Sequence, residues 1–134
     1  MKLSPQDALI YLMVVTAAAD RALSNTELAR MRALVDRLPI FEDYDLSSLP
    51  SITEKCADLL QESGIDGVLE LTVSSLPKRL QDTAYALVVE IAVVDLKLGQ
   101  EELRWLEMVR DRLDLDRLTT AAIEVAARAR LRRA

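Results

Sequence analysis

The chain has 134 residues, 51% of them hydrophobic and few aromatic, which is enough apolar mass for one core and argues against disorder. A net charge of −5, from 22 acidic and 17 basic residues, repels phosphate backbones and argues against nucleic-acid binding. With no histidine and one cysteine, Cys56, the chain lacks the commonest general base and metal ligand and can form no intrachain disulfide.

Ser4-Pro5-Gln6-Asp7 opens a first helix, with a serine cap, proline at the first helical position and an acid in the first turn. The stretch Ala8 to Ala19 is apolar around most of the helix, the pattern of a centrally buried element. It is shorter than the roughly twenty residues a membrane span needs, and Asp7 spoils it as a secretion signal. The expectation is therefore a cytoplasmic protein with no direct membrane insertion. Ser24-Asn25-Thr26-Glu27 is a capping box for an amphipathic second helix that ends before Pro39.

Pro39 to Pro50 reads as a polar surface connector with at most one helical turn. Ser51-Ile52-Thr53-Glu54 looks like the start of a third helix, which should end at Gly64. Cys56 lies in it with no base to activate the thiol, and is expected to be a small packing residue. Asp66 then caps a short helix to about Ser74, and Pro77 opens a long one through Val94, apolar over most of its surface, with Glu90 the lone charge in its central run. An amphipathic helix from Glu101 to Leu113 and a final one from Asp116 to Leu131 complete the chain. The prediction is an all-α fold, one domain over 1–134, built as a single compact bundle of six or seven helices. The arginines Arg128, Arg130, Arg132 and Arg133 suit the negative end of the last helix dipole.

Shifting the chain by 75 positions aligns its first helix pair with the later one without a gap. Leu12 meets Leu87, Val14 meets Val89, Asp20 meets Asp95, Glu27 meets Glu102, and Asp36-Arg37-Leu38 meets Asp111-Arg112-Leu113. The expectation is an internal pseudo-duplication of a helix–acidic turn–helix unit. In each copy an Asp closes the buried helix and a Glu follows seven residues later.

Glu27 and Glu102 are well placed as helix caps, and Asp20 and Asp95 as turn residues. An acid at a helix C-terminus, however, meets the negative end of the dipole and calls for an offsetting charge. Asp20, Glu27, Asp95 and Glu102 are thus the candidate metal ligands. Their oxygens suit a hard divalent cation, Ca²⁺ or Mg²⁺ rather than Zn²⁺, although the spacing is not that of an EF-hand. A joint site requires the two turns to converge, which depends on whether the two buried helices run parallel.

At these turns, Ala17-Ala18-Ala19-Asp20 with Ser24-Asn25-Thr26-Glu27-Leu28, echoed by Val94-Asp95 with Gly99-Gln100-Glu101-Glu102-Leu103, the chain resembles the TerB-like tellurite-resistance family, which is related to the N-terminal domain of the co-chaperone DjlA. The resemblance covers essentially the whole chain. It implies an all-helical stress-response domain, without enzymatic activity, that acts through a protein partner. Where the family carries Gly after Asp, this chain has Arg21 and Leu96, and Arg21 and Lys97 offset the neighbouring acids. Tellurite itself is an oxyanion and a poor match for acidic turns. The alternative is a pure interaction scaffold with the acids serving only as caps, for which Tyr44, Leu98 and Trp105 are candidate anchors where exposed. Oligomeric state is not legible.

Overall fold

A computed structural model describes residues 2–18, 25–92 and 100–134, the side chains of 100–102 excepted. Over these residues the fold is all-α, with six helices and no strand. They are α1 (Pro5–Ala17), α2 (Asn25–Arg37), α3 (Leu49–Ser75), α4 (Gln81–Ala92), α5 (Gln100–Arg112) and α6 (Arg117–Arg130).

The all-round apolar pattern of α1 has its expected consequence: every residue from Ala8 to Ala17 is buried. Ser4 caps its start, accepting the Asp7 backbone N–H at 3.1 Å. Helix α1 packs on α3 and α4, and α4 packs in turn on α5 and α6, so the core lies between α1 and α4. Asp116 caps α6 by accepting the Thr119 N–H at 2.7 Å, and those hydrogen bonds hold its carboxyl below the ordinary carboxylate value.

Two expectations for the middle of the chain are corrected. The third helix starts at Leu49, ahead of the Ser51–Glu54 box, because Pro50 fits a first helical turn, where the N–H it lacks would have no partner within the helix. Gly64 breaks it as expected: its φ of 70° and ψ of −176° are not helical, and Leu49–Ser75 is two helical segments meeting at that kink, in a conformation only glycine adopts freely. The other correction is that 39–50 is more than a surface connector. It forms two 3₁₀ turns, Pro39–Phe41 and Leu46–Ser48, and its aromatic residues bind it to the bundle. Phe41 is buried and meets Tyr44 edge to face, while the Tyr44 hydroxyl donates to Asp7 Oδ1 at 3.1 Å. Gln6 Nε2 donates to the Ile40 carbonyl at 2.9 Å and to Asp43 Oδ1 at 2.8 Å.

These contacts also give the relative direction of the helices. At the start of α1, the Leu3 N–H donates to Ser75 Oγ, and Gln6 reaches Ile40, which shares a surface groove with Thr83 in the first turn of α4. The last turn of α1 meets the N-terminal half of α5, where Trp105 Nε1 donates to Thr16 Oγ1 at 2.7 Å. The far end of α5 returns to the start of α4: Gln81 Oε1 accepts the Asp114 N–H at 2.8 Å, and Lys78 pairs with Asp114 at 3.0 Å. Helices α4 and α5 are therefore antiparallel, and α1 runs parallel to α4. The C-terminal ends of α2 and α5, Arg37 and Arg112, also stand 75 residues apart.

Candidate functional site

Of the four acidic candidates, Asp20, Asp95 and the Glu102 side chain lie outside the described residues. Glu27 lies in the first turn of α2 and is buried at 7% exposure. The parallel course of α1 and α4 puts the described ends that flank both acidic segments, Ala17 and Asn25, Ala92 and Gln100, toward one end of the bundle. Among the described residues there is no group of three or more Cys, Asp or Glu side chains suited to a metal ion.

A second polar constellation, invisible as a motif, lies between α5 and α6. The Tyr85 hydroxyl of α4 donates to Glu124 of α6, and Arg110 of α5 pairs with the same carboxylate at 3.0 Å. Glu107, Asp111 and Arg117 complete the walls of this cleft, which has a volume of about 480 Å³. Burial first, and then the hydrogen bond to Glu124, push the Tyr85 phenol well above its usual range. Tyr85 is therefore a protonated donor at neutral pH and has no capacity to act as a base there. Three residues from three helices build this network, so no spacing in the sequence announces it.

Glu90, the lone acid in the apolar run of α4, pairs with Arg130 of α6 at the bundle edge. One member of the C-terminal arginine cluster is thereby tied into the fold, while Arg128, Arg132 and Arg133 stay exposed. Cys56 is fully buried, its thiol 3.7 Å from the Tyr11 carbonyl, and burial pushes it up to about 12. A thiol in that state is a packing residue, as its surroundings in sequence suggest.

Trp105 is removed from the candidate anchors: it is 2% exposed, and its indole N–H is satisfied by Thr16. Tyr44 is half-buried and committed to Asp7, and Leu98 lies outside the described residues. The large apolar side chains that the described surface does expose include Leu118 and Val125 on α6, Leu103 on α5 and Ile65 on α3. No described helix is long and apolar enough to cross a membrane. No family model, curated protein or solved structure matches the chain.

Proposed function

We propose that this chain is a non-enzymatic, TerB-like stress-response domain that works in the cytoplasm through protein contacts, with a divalent cation held between its two acidic turns. The observation that carries this reading is the parallel packing of α1 and α4. In an antiparallel pair the segments bearing Asp20 and Asp95 would leave from opposite ends of the bundle, and a four-carboxylate site could not form. The 75-residue register of the ends of α2 and α5 supports the same reading, because a duplicated unit makes equivalent acids recur at equivalent places. Two carboxylates per turn are a weak ligand set for a hard cation, whereas four carboxylates from both turns, some bidentate or joined by water, come within reach of the six to eight oxygens it takes.

Calorimetric titration with Ca²⁺, Mg²⁺, Mn²⁺ and Zn²⁺ tests the proposal, with the D20N/D95N variant as control. The expected result is saturable heat with a hard cation, a raised melting temperature, and loss of both in the variant. Silence with every ion, together with an unchanged melting temperature, would leave the scaffold reading, in which the acids only cap helices.

A further inference from the structure

The α5–α6 cleft holds charges that the fold does not use. Tyr85 and Arg110 both donate to Oε2 of Glu124, so this carboxylate is fixed from two sides while its Oε1 accepts from neither. Glu107, Asp111 and Arg117 line the same cleft, and among the described residues none of the three has an ion-pair partner.

The first half of the chain shows that the bundle can do without this network. Under the 75-residue offset, Ile10 stands at the position of Tyr85 and Val35 at that of Arg110, and both are buried. The groove between α2 and the start of α3 is lined mainly by Leu28, Met31, Leu49 and Pro50, and no carboxylate faces it. A buried polar group gains little over a well-packed hydrophobe of its size, so stability does not account for the phenol and guanidinium of the second half. What they achieve is a carboxylate held in place, with one oxygen open, at the wall of a charged cleft.

We propose that this cleft binds a free basic α-amino acid, lysine or arginine. The unpaired charges on its walls are two carboxylates and one guanidinium, and such a ligand carries the complement, two cations and one carboxylate. Helices α5 and α6 are antiparallel, since α5 runs against α4 while the Tyr85–Glu124 and Glu90–Arg130 contacts set α6 parallel to it. Asp111 and Arg117 therefore share the end of the cleft nearest the α5–α6 connection, and Glu107 and Glu124 lie toward the other end. The α-carboxylate meets Arg117 and the α-ammonium meets Asp111. The side-chain cation meets Glu107 and the open Oε1 of Glu124, one helical turn or about 6 Å further along. Ala121, between the two ends, gives the aliphatic spacer an apolar wall. The cleft volume of about 480 Å³ falls in the range of small-molecule sites, roughly 300–1,000 Å³. None of these residues belongs to the acidic turns, so the inference is independent of the cation reading.

Calorimetric titration of the full chain with L-lysine and L-arginine tests it, beside two truncated probes. Cadaverine has both amines of lysine but no carboxylate, and L-norleucine has the α-amino acid group but no side-chain cation. At least one of the basic amino acids should bind with saturable heat below about 1 mM, and both probes should bind at least about tenfold more weakly, because each leaves a wall charge unanswered. The variants R117Q and E107Q/D111N should each weaken binding by about tenfold or more. All three positions are exposed, so the fold is retained, which far-UV circular dichroism checks. R117Q should also erase the preference for lysine over cadaverine, an effect that a merely structural role would not produce. Absence of heat with both basic amino acids up to about 10 mM would overturn the proposal. Cadaverine binding as tightly as lysine would overturn it in favour of a simple cation site, and unchanged binding in E107Q/D111N would remove the cleft as its location.

Discussion

Helices α1 and α4 occupy equivalent positions under the 75-residue offset, yet they are buried by different means. Where α1 has Ile10 and Val15, α4 has Tyr85 and Glu90, and all four are buried. The polar pair is tolerated because neighbours outside the matched positions of α4 complete it: Glu124 and Arg110 meet Tyr85, and Arg130 meets Glu90. Helix α1 instead packs on α3, which contributes Cys56, Val68 and Leu69 to the core. The contrast teaches that a position in this bundle does not choose between apolar and charged residues by itself. The partner helix across from it does.

The largest expected effect comes from importing the α4 residue into α1. Val15→Glu would bury a carboxylate at a site 2% exposed, on the helix that α3 covers. An uncompensated buried charge costs on the order of 3–5 kcal/mol, a large part of a domain's stability. Urea denaturation followed by circular dichroism should show a variant that is unfolded or barely folded. Wild-type stability in this variant would break the comparison outright, since it would mean that α1 has a partner for the charge too.

An intermediate effect tests the Tyr85 network. Tyr85→Phe removes one hydrogen bond to Glu124 but leaves that carboxylate paired with Arg110, so the loss at neutral pH should be about 1 kcal/mol. The pH dependence is the sharper measurement. Burial, followed by Glu124, raises the folded Tyr85 value above the 10.0 of an unperturbed tyrosine. A raised folded value stabilises fully below pH 10 and loses that contribution as pH climbs toward the folded value, because the unfolded state ionises first. Wild type should therefore weaken at alkaline pH, with Cys56 and Tyr44 adding to the decline in the same direction. Tyr85→Phe should decline less steeply above pH 10, by up to about 1.4 kcal/mol per pH unit. Parallel curves for variant and wild type would show that the phenol is not held in its neutral form.

Much of this architecture was readable before any coordinates. The apolar runs of α1 and α4 announced buried helices, and Ser4 announced the cap of α1, because these signals are local. The connector at 39–50 was misread for the opposite reason. Glu42, Asp43 and Asp45 made it look solvated, whereas its anchoring depends on the burial of Phe41 and on Gln6 and Tyr44 finding partners across 34 or more residues of chain. Trp105 is similar, since nothing in its neighbourhood says that Thr16, 89 residues earlier, will take its N–H. The Tyr85–Glu124–Arg110 cluster was likewise beyond reach of spacing rules. The acidic turns were legible as a repeated pattern, but the condition for their meeting, parallel α1 and α4, is a property of packing.

The smallest expected effect is the reciprocal exchange, and it sharpens the comparison most. Glu90→Val installs in α4 the residue that α1 carries at the equivalent position. It removes an ion pair whose acid is 10% exposed and whose arginine is 58% exposed. Arg130 can turn its guanidinium to solvent, so no charge is stranded, and a valine recovers apolar contact at the bundle edge. Replacing such a pair by a well-packed hydrophobe is close to neutral, so the change should stay within about 1 kcal/mol of wild type in either direction. Whatever contribution the pair makes is electrostatic, so the salt dependence of stability should be shallower in the variant. A loss as large as that of Val15→Glu would mean that Glu90 organises more than Arg130, and that the two helices differ in kind. A near-neutral result beside a failed Val15→Glu would locate the asymmetry in α6, which supplies the arginine that makes a buried acid permissible.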